Sequence, residues 1–130
     1  MIKWYTQQDL PNEIKEMIID YKFHIDTFDT SCCPMYIGYV TEDNKIAGCL
    51  GISWDTIKYL RVKKEFRKRN IATALLKYAE NLVKVYSNCS NVYVNENNTP
   101  AIYFFSKNGY DPIGYGEYYY VLKKNLDRSN

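Results

Sequence analysis

Apolar positions in this chain change period several times, and each change marks a predicted element. Residues 2–6 predict a first strand. Asp9 and Pro11 then open a helix in which Ile14, Met17, Ile18, Tyr21 and Ile25 fall at helical spacing. Residues 26–34 are polar and irregular and predict a loop over one end of the fold. Met35 to Val40 predicts a strand and residues 42–45 a turn. Residues 46–54 predict a strand weakened by Gly48 and Gly51. A hairpin connection at Asp55-Thr56 leads into a strand over residues 57–62.

The second half of the chain alternates helix and strand. Ala72, Leu75, Leu76, Ala79, Leu82 and Val83 make one apolar stripe and predict a long helix over residues 70–86. Val92 to Val94 predicts a short buried strand. Asn98 or Thr99 caps the next helix, with Pro100 suited to its first turn. That helix stops at Asn108-Gly109, where glycine accepts a left-handed backbone. Two last strands, residues 110–115 and 118–124, are joined through Gly114 and Gly116. The order is βα, three antiparallel strands, αβ, αβ, β.

Composition narrows the class. At 130 residues the chain is one domain, residues 1–130, able to bury roughly two thirds of its unfolded surface. A net charge of +2 and an isoelectric point near 8.2 give no long-range case for nucleic acid. No apolar run is long enough to span a membrane, and no signal peptide precedes the first strand. A cytoplasmic location follows by elimination. Cys32, Cys33, Cys49 and Cys89 fit no zinc spacing, and His24 has no second histidine beside it. No metal is expected. The 14 tyrosines read mostly as amphipathic strand and rim residues.

Positive charge is concentrated at Lys63, Lys64, Arg67, Lys68 and Arg69, directly before the long helix. A solvated face explains many such runs. At a helix N-terminus, however, cations oppose the helix dipole unless an anion sits there. The first amides of a helix have no internal partners, so such a turn can hold a phosphate group. A second strand-helix unit, from Val92 to Gly109, supplies another wall for a cleft.

These two segments resemble the GNAT superfamily of acyl-CoA-dependent N-acetyltransferases. The resemblance covers residues 36–126. The family's phosphate loop, Gln/Arg-x-x-Gly-x-Gly/Ala, is matched by Arg67-Lys68-Arg69-Asn70-Ile71-Ala72. Asn70 replaces the first glycine and is the side chain that best tolerates positive φ. Asn98-x-x-Ala101, then Phe104-Phe105-x-Lys107-x-Gly109-Tyr110, follows the family spacing Asn-x-x-Ala-x-x-Leu-Tyr-x-x-x-Gly-Phe. The implied fold is a single α/β (α+β) domain with flanking helices. Its central sheet is mixed, mostly antiparallel, with two parallel strands splayed apart. The implied cosubstrate is acetyl-CoA. Its pyrophosphate is expected on Arg67, Lys68, Arg69 and Asn70 with the amides of Ile71, Ala72 and Thr73. The backbone of Leu60, Arg61 and Val62 is expected on one side of the pantetheine arm and Val94 on the other. Asn98 is expected to bond the arm or cap its helix, or both. Lys107 reaches the phosphate end or is a plain exposed lysine.

Two positions depart from the family. The tyrosine that protonates the departing thiolate is replaced by Phe105, and a phenyl ring donates no proton. Tyr103 lies about 200° away around the helix and is no substitute. The glutamate that some members use as general base is replaced by Tyr93, a poor base that can relay a proton through water. Glu96 lies near but reads as a solvated loop residue. Catalysis does not require either group, because a thioester is already activated and positioning an unprotonated amine lowers much of the barrier.

The expected activity is transfer of acetyl to a primary amine by direct attack in a ternary complex. The partner is a small-molecule or peptide amine, and the enzyme a monomer or homodimer. The acceptor is expected between residues 26–34 and 113–118. Asp26, Asp29 and Glu117 attract a cation there, and Tyr115 and Tyr118 pack on it. Each, taken singly, also reads as a solvated turn residue. Two alternatives stay open. One is a non-catalytic acyl-CoA-binding module, which Phe105 points to. The other is a protein N-terminal acetyltransferase, because Tyr119-Tyr120 fall where such enzymes carry paired tyrosines, although Gly116 stands where those carry arginine.

Overall fold

The structure is a computed structural model that describes residues 1–19 and 33–126. The described elements are β1 (Ile2–Tyr5), α1 (Asn12–Ile19), β2 (Met35–Val40), β3 (Ile46–Ser53) and β4 (Thr56–Val62). They continue with α2 (Ile71–Val83), β5 (Cys89–Asn95), α3 (Thr99–Lys107), β6 (Asp111–Gly116) and β7 (Tyr119–Asn125). A short 3₁₀ turn, Lys64–Phe66, precedes α2. The expected extension of α1 to Tyr21 and Ile25 lies outside the described residues, as do Asp26, Asp29, His24 and Cys32.

Seven strands form one sheet in the order β1-β2-β3-β4-β5-β7-β6. Every neighbouring pair is antiparallel except β4 and β5, which run parallel. The α2 crossover joins them, as a parallel pair requires. Side chains on successive strand residues point to opposite faces, and each face carries its own core. Leu50, Leu75, Leu76, Val83, Val94 and Phe105 are buried beneath α2 and α3. Ile14, Ile18, Tyr36, Val40 and Cys49 are buried beneath α1. Losing either fully buried leucine of α2 to alanine costs about 2–5 kcal/mol.

Several boundaries differ from the sequence expectation. α2 ends at Val83 instead of residue 86, and the Tyr86 ring turns to pack 5.2 Å from Trp54. β5 is longer than Val92–Val94, because β7 pairs with it from Cys89 to Asn95. The β3–β4 turn is Trp54-Asp55, since Ser53 pairs with Thr56. β3 runs unbroken through Gly48 and Gly51. A Cβ on Gly48 would lie 2.9 Å from the Arg61 carbonyl, and one on Gly51 2.9 Å from Cys33 Sγ.

Candidate functional site: a cleft between splayed strands

The parallel pairing of β4 and β5 is short. It holds Thr56 to Asn91 and Ile57 to Val92, and no later pair is made. β4 continues to Val62 and β5 to Asn95, so the two strands part beyond Ile57 and Val92. β4 also carries an extra residue against β3, between the Gly51–Lys58 and Cys49–Arg61 pairs. Tyr59 sits in that bulge at φ +57°. A left-handed tyrosine is uncommon, and a bulge re-aims the strand after it.

The gap is a cleft of about 520 Å³. Leu60, Arg61 and Val62 line one side, and Asn98, Ala101 and Phe105 line another. A second hollow of about 230 Å³ continues it over the start of α2, lined by Lys68, Asn70, Ile71, Thr73 and Lys107. Val62, Arg67, Ala72 and Phe104 line both, so the two spaces run into each other.

The turn into α2 brings the first amides of the helix together with basic side chains. Asn70 has φ +61° and Lys68 φ +66°. The Asn70 side chain caps no amide, and the first intrahelical donor is the Ala74 N–H, which bonds the Asn70 carbonyl at 3.0 Å. The amides of Ile71, Ala72 and Thr73 come before it and open onto the hollow. Arg67 Nε donates to the Val62 carbonyl at 3.1 Å, which holds its guanidinium at the rim. Arg69 lines neither space; its guanidinium lies 5.6 Å from the Phe66 ring centre. Lys63 is ion-paired with Glu13 beneath α1 and so is turned from the hollow. The Lys107 ammonium lies 5.8 Å from the centre of the Tyr103 ring.

Asn98 caps α3, its amide oxygen accepting from the Ala101 N–H at 3.2 Å. A hydrogen bond from Asn98 to a ligand therefore comes from Nδ2. Val94 turns its side chain into the core, so any part it takes in the cleft belongs to its backbone. Phe105 is 4% exposed, with its ring edge-on to Phe104 and Tyr110. Cys49, across from Arg61, is no nucleophile: burial pushes its thiol up to about 12, outweighing Arg61 and Lys63.

Of the residues expected near the acceptor, Asp26 and Asp29 lie outside the described residues. Tyr115, Glu117 and Tyr118 are exposed and line neither space. Glu96 is exposed at the end of β5, its N–H donating to the Tyr118 carbonyl at 2.9 Å. In the last turn the space over Gly114 is open, while the Tyr119 ring occupies the space over Gly116. Sequence reasoning missed Ala101 and Phe104 as lining residues. Their spacing from Asn98 on one helix face was the available signal. Nothing in the periodicity marks the Tyr59 bulge.

The family model for the acetyltransferase (GNAT) family matches residues 1–110. The chain belongs to this GNAT family. Acetyl-CoA is accordingly its cosubstrate, and the basic residues Arg67 and Lys68 lining the hollow suit the negative charge of such a molecule. No functionally curated protein matches the sequence. Among solved structures, a GNAT-family acetyltransferase from Staphylococcus aureus Mu50 aligns with TM-score 0.78 at 18% identity, over 98% of this chain and 100% of the other. Naa20 from Chaetomium thermophilum, in complex with a bisubstrate analogue, aligns with TM-score 0.74 at 16% identity, over 98% and 87%. The PaiA N-acetyltransferase from Thermoplasma acidophilum, in complex with coenzyme A, aligns with TM-score 0.62 at 23% identity, over 70% and 60%. At these identities the likeness shows that the GNAT fold is shared.

Proposed function

We propose that the chain is an acetyl-CoA-dependent N-acetyltransferase that acts on a primary amine by direct attack in a ternary complex. The observation that carries this is the parting of β4 and β5 after Ile57 and Val92, continuous with the hollow at the start of α2. The cosubstrate supplies an acetyl group already activated as a thioester. The chain's own work is to bind, orient and polarise. The amides of Ile71 to Thr73, with Arg67 and Lys68, hold the pyrophosphate. The edge of β4 from Leu60 to Val62 lies along the pantetheine arm, and one of its N–H groups polarises the carbonyl. Ala101, Phe104 and Phe105 keep water from the arm. With Tyr93 and Phe105 at the base and acid positions, the proton leaves through water and the thiolate departs without a phenol donor.

A thiol-release assay with acetyl-CoA against polyamines, aminoglycosides, amino acids and peptides tests this. Release matched by acetylated amine is the expected result. Coenzyme A binding with no release from any amine would instead make the chain a non-catalytic acyl-CoA module. The fold shared with Naa20 supports a second reading, a protein N-terminal acetyltransferase, which the peptide arm of the panel decides.

A further inference from the structure

On the sheet face away from α2 and α3, the point where the strands part is marked by a tyrosine. Val92 makes the last pair with β4, and Tyr93 is the next residue of β5. Val92 and Val94 are buried under the helices, so Tyr93 points to the other face. Tyr93 is 41% exposed. Tyr119, on β7, points to the same face because Leu122 points to the helix face. The two rings stack nearly flat, 5.4 Å between centres and 5° between planes.

The stack is braced. A Cβ on Gly116 would lie 2.3–2.5 Å from the Tyr119 ring atoms, so the ring lies directly on the glycine backbone. Gly116, Tyr119 and Tyr93 thus form three layers, and only the outermost ring offers a face to the strand gap. The helix face of the gap is occupied by Ala101, Phe104 and Phe105. The core under α1 draws on β2, β3 and β4, and no β5 residue belongs to it. On that face Tyr59 of β4 is buried in the core under α1 and also lines the cleft, whereas Tyr93 of β5 is exposed, so among the described residues the β5 side of the gap is the open one.

We propose that the exposed face of Tyr93, braced by Tyr119 and Gly116, is an acceptor platform, and that the preferred acceptor is a primary amine carrying an aromatic ring. This rests on the acetyltransferase reading above. A flat ring stacks on a fixed tyrosine with two benefits: a large contact area and little side-chain ordering. The ring seats the acceptor next to the last strand pair, and the amine on a short flexible arm reaches into the gap.

The test compares 2-phenylethylamine with 2-cyclohexylethylamine, which match in size and differ in aromaticity. Stacking is expected to raise kcat/KM for the aromatic amine about tenfold. Tyr93→Leu should abolish that ratio and Tyr93→Phe should keep it, with coenzyme A affinity unchanged in both. Gly116→Ala, which forces the Tyr119 ring aside, should reduce the ratio without touching coenzyme A affinity, and serves if Tyr93→Leu does not fold. Equal rates for the two ring amines, an equal fall for both in Tyr93→Leu, or a clear preference for spermidine or a peptide overturns the platform and leaves the acetyltransferase reading standing. If no amine is acetylated, calorimetry of 2-phenylethylamine with the coenzyme A complex still decides. Binding that Tyr93→Leu weakens keeps the platform and removes the enzyme; no binding overturns the platform.

Discussion

Asn70 is one residue on which the phosphate turn depends. Its φ of +61° lies in a region where an L side chain meets the neighbouring carbonyl, and asparagine tolerates it through local hydrogen bonding. Because the Asn70 side chain caps no amide of α2, a substitution there acts on the backbone and not on a cap. Asn70→Gly is therefore expected to leave stability and coenzyme A affinity nearly unchanged. Asn70→Val, a β-branched residue, should cost about 1–2 kcal/mol of stability and weaken coenzyme A binding as the turn relaxes. Urea denaturation and calorimetry on the two variants check this. Equal stability for glycine and valine would show that the left-handed turn does not survive in solution. Sequence alone pointed to this conformation, because an asparagine stood where the family motif places glycine. It did not point to Lys68, whose φ of +66° has no compositional cue.

At the scale of elements, the cleft comes from what two strands fail to do. Strand pairing that stops after two residue pairs leaves polar backbone edges, and a buried edge without partners is costly. A ligand lying along the gap satisfies such edges, while α2 and α3 close its far side. Ala72 sits at the junction, lining both the cleft and the hollow at the α2 N-terminus. In the proposed binding mode, Ala72→Trp puts an indole where the arm turns toward the phosphates. Coenzyme A affinity is expected to fall at least about a hundredfold, roughly 2.7 kcal/mol, with the fold retained by circular dichroism. Unchanged affinity in a folded variant moves the ligand elsewhere. The element order and both helix starts were legible from periodicity and capping residues. The strand bulge was not, because its one extra residue leaves the local apolar pattern intact. Nor was the Lys63–Glu13 pair, which joins residues fifty positions apart in sequence and takes one lysine of the basic run out of the phosphate turn.

The whole molecule is tied together behind the cleft by a buried polar group that no apolar pattern predicts. Glu80 stands at a buried position of α2. The Tyr110 hydroxyl lies 2.8 Å from the Glu80 carboxylate and 2.9 Å from Ser90 Oγ, and Lys124 Nζ donates to Glu80 Oε1 at 3.1 Å. One cluster thus joins α2, β5, β7 and the residue that leads into β6. The Tyr110 ring also packs edge-on against Phe105 in the cleft wall. Tyr110→Phe removes one hydroxyl from this buried set and should cost about 1–3 kcal/mol at pH 8. Its pH dependence separates this hydrogen bond from simple packing. Burial, with the Glu80 charge, pushes the Tyr110 phenol well above its ordinary range, whereas the unfolded chain ionises near 10.0. Between those two values the unfolded state holds fewer protons than the native state. Wild-type stability therefore falls as pH rises past that point, by about 1.4 kcal/mol per pH unit for this group. The phenylalanine variant has no such proton to lose, and the other titrating groups are common to both proteins. The stability gap between wild type and Tyr110→Phe should thus be widest near pH 8 and shrink as pH climbs from 10 toward 11. Paired urea titrations across that range measure it, and a gap that stays constant or widens would mean that the phenol is not held protonated in the native core.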